Sequence, residues 1–360
     1  MKGLGMPQMS FGTIFLSQPD KDRDEFPYQA IHERTTQEII EADKAGYDFA
    51  WIAEHHAADA YGILPDPLTY IAYLATLTER IRLGAGVVIL PLHNIMRLVE
   101  NIAFVDILTK GRLTVGIGSG YREYEFDAFG AEFESRRAFV GEALPLMLEM
   151  FNNHQVDHKG VLLPDHKVTG EYAIFPRPIQ TPHPPFWLGV SSEESIKRAA
   201  QYGLGIATST LTPITELAEK TALFRRACEQ TEAPYDQNVG RGNIDVARFV
   251  YVSDTDKKAK EESADAVVRH VHSFTGAGTS GYLGNISKTN QESYSAASYE
   301  DLNEDTIIHG SPETVIEKIQ SLQDRTGATG LILHMPPYYA AEQAKASLDM
   351  FAETVIPKFR

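Results

Sequence analysis

The sequence predicts an α/β protein built as a closed (β/α)8 TIM barrel with insertion segments. Short apolar runs alternate with amphipathic helical segments along almost all of the 360 residues, the pattern of strands joined by helical crossovers. Eight such runs can be counted. Several are apolar without interruption, such as Val87-Val88-Ile89-Leu90, as strands covered on both faces are. Eight strands each followed by a helix suit a barrel better than an open doubly wound sheet, which stands as the alternative.

In order, the strands are expected at 9–16, 48–53, 81–90, 113–118, 185–190, 204–207, 244–252 and 330–334. Asp66-Pro67 and Ser311-Pro312-Glu313 supply an N-cap followed by a proline in the first helical turn. After Ser311, Val315, Ile316, Ile319 and Leu322 recur at helical spacing. Residues 136–151 carry Phe139, Val140, Leu144, Met147, Leu148 and Phe151 on one side, and Gly46 and Gly327 stand where helices should end. Two stretches break the rhythm of an otherwise single domain spanning 1–360. Residues 152–185 contain five prolines from Pro176 to Pro185 and read as a stiff extended connection. Residues 273–303 are rich in Gly, Ser, Asn and Tyr, too long for an ordinary connection and therefore a candidate lid.

Composition narrows the function. With 43% hydrophobic and 23% charged residues the chain has ample core material, and its formal charge is −16. That balance argues against nucleic acid or an anionic membrane as partner. A lone cysteine, Cys228, can form neither an internal disulfide nor a cysteine-based zinc site. The first residues show no signal-peptide pattern and no run approaches membrane-spanning length, so a cytoplasmic protein is expected.

Chemistry in a barrel belongs at the C-terminal ends of the strands. The second strand ends in Ala53-Glu54-His55-His56, a carboxylate and two imidazoles suited to proton transfer near neutral pH. Neighbours on an extended chain point to opposite sides, so only one histidine should face the mouth. Neither the pair nor the spacing of other histidines supplies a metal set. The fourth strand ends in Gly116-Ile117-Gly118-Ser119-Gly120-Tyr121, where glycines allow close backbone approach to a ligand or simply a tight turn. The fifth runs into Ser191-Ser192-Glu193-Glu194-Ser195, an N-cap that could also receive a phosphate. In the third, Gly84-Ala85-Gly86 leaves room for a flat ring or for close packing.

Taken in order and spacing, these motifs resemble the bacterial luciferase-like flavin monooxygenase family. The match rests on Ala53-Glu54-His55-His56, on residues 82–91 and 110–121, and on Glu125-Phe126-Asp127-Ala128-Phe129-Gly130. Residues 199–204 and 308–313, the latter assigned to the closing helix, extend it, and 47–151 look most like the luciferase α subunit. The resemblance implies reduced FMN as co-substrate and dioxygen, reacting through a flavin C4a-(hydro)peroxide with an apolar organic substrate such as a long-chain aldehyde. It places His55, with Glu54 and His56, as the catalytic group. Gly86 and Val87 would lie against the isoalloxazine, often through a non-proline cis peptide. Gly118, Ser119, Gly120 and Tyr121 would form the adjoining loop, and Ser191, Ser192 and Ser195 would bind the FMN phosphate.

Two departures stand out. Ser119 replaces a phosphate-contacting arginine of luciferase, leaving Arg122, Arg137 or Arg177 to supply charge, and Gly118 replaces a cysteine. Light emission is therefore not implied. With no second nucleotide fingerprint, reduced FMN is expected from a separate NAD(P)H:flavin reductase, and the protein is expected to be a homodimer. A deazaflavin-dependent oxidoreductase and a non-catalytic flavin-binding or scaffold subunit are the alternatives.

Overall fold

The computed structural model describes residues 8–21, 24–59, 61–276 and 297–360. Residues 277–296 of the candidate lid lie outside the described residues.

The barrel strands are β1 (Ser10–Phe15), β2 (Phe49–Ile52), β3 (Arg82–Ile89), β4 (Leu113–Gly118), β7 (Phe186–Gly189), β8 (Gly205–Thr208), β9 (Ile244–Val252) and β11 (Gly330–His334). They pair in parallel in that order, and β11 returns to β1, so the sheet closes. Closure removes the open-sheet alternative. All eight expected strands are present. The long crossover helices are α1 (Pro27–Ala45), α2 (Pro67–Leu74), α3 (Ile95–Leu108), α5 (Arg136–Asn153), α6 (Glu193–Gln201), α7 (Ile214–Cys228), α8 (Asp256–Gly276) and α10 (Pro312–Thr326), with α11 (Ala341–Met350) near the end. The shorter α4 (Glu123–Phe129) follows β4, and α9 (Tyr299–Asp305) precedes α10. No helix among the described residues is long and apolar enough to cross a membrane.

Local signals account for most boundaries. The Asp66 carboxylate accepts from the Thr69 N–H at 3.1 Å, and the Ser311 hydroxyl accepts from the Thr314 N–H at 3.3 Å. Gly46 and Gly327 end α1 and α10 in the left-handed region, at φ 92° and 59°. One expectation is corrected here: residues 308–310 belong to a strand, β10 (Ile307–Gly310), paired with the second half of β9, and the helix begins only after Ser311. Ile307 and Ile308 are buried, and burial beside β9 decides a four-residue segment, Ile-Ile-His-Gly, too short to show a periodicity of its own.

The insertion at 152–185 contains a short hairpin, β5 (Val156–His158) with β6 (His166–Val168). Its proline-rich half crosses the N-terminal ends of β3 and β4. There the Gln180 backbone N–H and side-chain amide donate to the Asp106 carboxylate at 2.9 and 2.7 Å, and the same amide donates to the Leu113 carbonyl.

Inside the barrel Phe49, Trp51, Ala247 and Ile332 pack with Ile14, Trp187 and Ala207. The two indoles meet edge-on at 6.0 Å. A Cβ on Gly84 would stand 2.4 Å from the Trp51 ring, so the flat ring accommodated at Gly84 is the protein's own tryptophan. Gly84→Ala should therefore destabilise the protein by about 1–3 kcal/mol through overpacking. The expected record is a lower urea midpoint at unchanged m-value; a midpoint equal to that of the unaltered protein would show that Trp51 yields freely.

Candidate active site

The strand ends converge on a cavity of about 240 Å³. Glu54 and His55 reach it from the segment after β2, Gly86 and Val87 from β3, and Gly118, Ser119, Gly120 and Tyr121 from the end of β4. Ser191 lines it after β7, and Trp51 and Trp187 lie within it.

Glu54 is only 2% exposed. Its carboxylate accepts from His56 Nε2 at 3.0 Å, from His93 Nε2 at 2.8 Å and from the Ile89 N–H at 3.1 Å. Burial alone would raise the carboxyl, but the hydrogen bonds from His56, His93 and Ile89 outweigh it and hold the group below its usual range. The same contact raises His93 against its own burial.

His55 is buried beside the rings of Tyr61 and Tyr121, with centroids 4.7 and 6.0 Å away. A Cβ on Gly62 would come within 2.9 Å of its ring, so the glycine makes room for the imidazole. His55 Nδ1 is 3.0 Å from Glu125 Oε1, which also accepts the His56 N–H at 3.1 Å. A carboxylate at Nδ1 places the ring proton there and leaves Nε2 as the basic nitrogen. Burial lowers the pKa of His55, and the Glu125 carboxylate partly offsets it. The arrangement keeps a neutral imidazole ready to take a proton.

His56 is turned away from the cavity. Its ring meets Glu54 and, edge-on at 4.6 Å, Phe129, as the alternation of an extended chain requires. Glu125, at the first turn of α4, is the orienting group that local reasoning did not assign. Its only sequence signal was a place in the family-like run 125–130.

Gly86 and Val87 are joined by a cis peptide. Between the pairs Ala85↔Val115 and Val88↔Ile117, β3 takes three steps where β4 takes two, a bulge that re-aims the strand at this point. A Cβ on Gly118 would fall 2.4 Å from Val87 Cγ2, whereas Gly189 has nothing nearer than 3.6 Å.

Among the serines after β7, only Ser191 lines the cavity. Ser192 caps α6 and Ser195 completes a capping box: its hydroxyl accepts from the Ser191 and Ser192 N–H groups and donates to the Ser192 carbonyl. Positive charge comes from Arg136, Arg137 and Lys220, which also line the cavity. The Arg136 Nε is buried without a hydrogen-bond partner among the described residues, and burial, with Arg137 beside it, lowers the pKa of the group. Of the three arginines weighed from sequence, Arg137 is at the cavity. Arg122 is buried over the Tyr61 ring at 4.1 Å, and Arg177 stands over Phe175. Among the described residues no group of three or more His, Cys, Asp or Glu is arranged to hold a metal ion.

The donor set fits a flavin mononucleotide. Two guanidiniums and Ser191 suit a phosphate, and the glycine-lined wall with Trp51 and Trp187 suits a flat ring. Glu125→Gln should lower the His55 pKa further, because it removes the one neighbour at Nδ1 that favours the imidazolium. An NMR titration of the His55 ring would show it, and an unmoved or raised pKa would contradict the assigned coupling.

A family model described as luciferase-like monooxygenase matches residues 9–329. The oxygenase component of flavin-dependent trigonelline monooxygenase from Acinetobacter baylyi is 26% identical over 345 residues, 92% of each chain. Among solved structures, the oxygenating constituent of 3,6-diketocamphane monooxygenase from Pseudomonas putida, in complex with FMN, superposes with a TM-score of 0.79 at 20% identity, covering 98% of this chain and 99% of that one. The coenzyme F420-dependent tetrahydromethanopterin reductase of Methanopyrus kandleri superposes at 0.71 and 20% identity, covering 98% and 100%. At such identities the superpositions speak for the fold alone. The family match spans most of the chain and coincides with the barrel, its glycine-lined strand ends and the His55 site: the chain belongs to the luciferase-like monooxygenase family.

Proposed function

We propose that this protein is the oxygenase component of a two-component system, receiving reduced FMN from a separate NAD(P)H:flavin reductase and monooxygenating an apolar organic substrate. The carrying observation is the composition of the cavity at the strand ends: a cationic patch beside Ser191, a glycine-lined wall, and an imidazole oriented by a buried carboxylate. Bound reduced FMN would supply two electrons, so that one oxygen atom of dioxygen enters the substrate and the other leaves as water. The chain's own groups do the rest. Arg136, Arg137 and Ser191 hold the phosphate, Gly86, Val87 and the Gly118–Tyr121 turn receive the ring system, and His55 Nε2 accepts or returns a proton beside it. Tyr61, Leu211, Phe249 and Val271 line an apolar wall that excludes water from the reacting atoms. A long-chain aldehyde is one member of the substrate class this wall admits.

The fold shared with an F420-dependent reductase favours one second reading, hydride transfer with a deazaflavin. The two separate in titrations. FMN should quench on binding while a deazaflavin does not, and Arg137→Ala should weaken FMN about tenfold while leaving riboflavin nearly unchanged. Tighter binding of the deazaflavin would transfer the proposal to the second reading. In turnover with reduced FMN and air, His55→Ala should divert the electrons to hydrogen peroxide, and an unchanged peroxide yield would remove His55 from proton control.

For assembly, α2 and α3 expose Tyr73 and Phe104 at 54% and 51%, together with Leu108. We read this apolar strip as the homodimer face. Sedimentation should give a dimer that Phe104→Glu converts to monomer; a monomer in both would reject it.

A further inference from the structure

His334 is the last residue of β11 and His270 lies on α8; both line the cavity. Their rings meet edge-on at 5.0 Å, and His334 lies 4.7 Å from the Phe249 ring. Leu211, Val271 and Tyr61 belong to the same apolar cluster as Phe249. His334 is 6% exposed. Its Nδ1 is 3.2 Å from the Thr210 hydroxyl, whereas its Nε2 is buried and meets no hydrogen-bond partner among the described residues. Such a nitrogen is costly to leave unmet, and the groups assigned above to FMN and proton handling do not account for it.

We propose that His334 selects the substrate: its Nε2–H donates to an uncharged carbonyl oxygen on an otherwise apolar molecule. In this assignment the Thr210 hydroxyl, 3.2 Å away, donates to Nδ1 and leaves the ring proton on Nε2. Burial holds His334 far below the usual imidazole range, and His270 at about 4, so this edge of the cavity is neutral and offers a hydrogen bond without a charge. An anionic substrate finds no imidazolium here, and a pure hydrocarbon leaves Nε2 unmet. The inference rests on reading this cavity as the substrate site, but its test needs neither flavin nor oxygen.

The probes are 4-tert-butylcyclohexanone and the hydrocarbon of the same skeleton, tert-butylcyclohexane. Binding is read from the emission of Trp51 and Trp187, the only two tryptophans of the chain and both in the cavity. The unaltered protein should bind the ketone about tenfold more tightly than the hydrocarbon. His334→Phe should bring the two within about twofold by weakening the ketone alone, and His334→Gln, which keeps a donor, should restore part of the preference. Should His334→Phe fail to fold, as judged by circular dichroism, His334→Leu serves in its place. An undiminished preference in the apolar variant overturns the proposal, as does equal or absent binding of both probes by the unaltered protein. FMN titrated separately keeps the two readings apart: a ketone preference without FMN binding would sink the flavin assignment and leave His334 standing.

Discussion

The buried carboxylate of Glu54 ties the site together. Three donors from three places in the chain meet it: the neighbouring His56, the Ile89 backbone at the end of β3, and His93 just beyond. A carboxylate so deep is tolerable only while those donors remain, since a buried charge stripped of a partner costs about 3–5 kcal/mol. The contact therefore fixes the end of β2 against the end of β3. It also turns His56 outward and leaves His55 facing the cavity. Glu54 itself also borders that cavity, and its two oxygens are already met by those three donors.

Glu125, on α4 after β4, repeats the device. One of its oxygens receives both the His55 ring and the His56 backbone N–H, so α4 holds the imidazole's tautomer as well as its angle. The cost is desolvation of both partners, visible in the lowered pKa of His55. A buried imidazole kept neutral in this way can accept a proton at Nε2, and burial strengthens the electrostatic effects around it. The cavity is thus differentiated. Guanidiniums beside Ser191 suit an anion, and neutral imidazoles among aromatic rings suit an uncharged guest.

Much of this was legible in the sequence because its signals are local. All eight barrel strands announced themselves as apolar runs. Asp66, Ser311, Gly46 and Gly327 marked helix ends through capping chemistry that needs only a few neighbouring residues. The pairing of Glu54 with His55 and His56 at a strand end pointed to the site, and alternation along the chain foresaw that the two histidines would diverge. Ser192 and Ser195 illustrate the opposite case: the same residues read as a phosphate cradle or as a helix cap, and their hydroxyls are engaged with each other.

What the sequence determined by itself is the succession of eight strands with helices between them, most of the helix ends and the strand end that bears the imidazoles, since periodicity and capping act over a few residues; closure of the sheet came from strand pairing. Tertiary structure alone decided which side chains meet. His55 and Glu125 are 70 residues apart, Thr210 and His334 are 124 apart, and Trp51 fills the space that Gly84 leaves. Those encounters depend on the register with which neighbouring strands pair and on where each crossover helix returns, and neither is written in any short window of the chain.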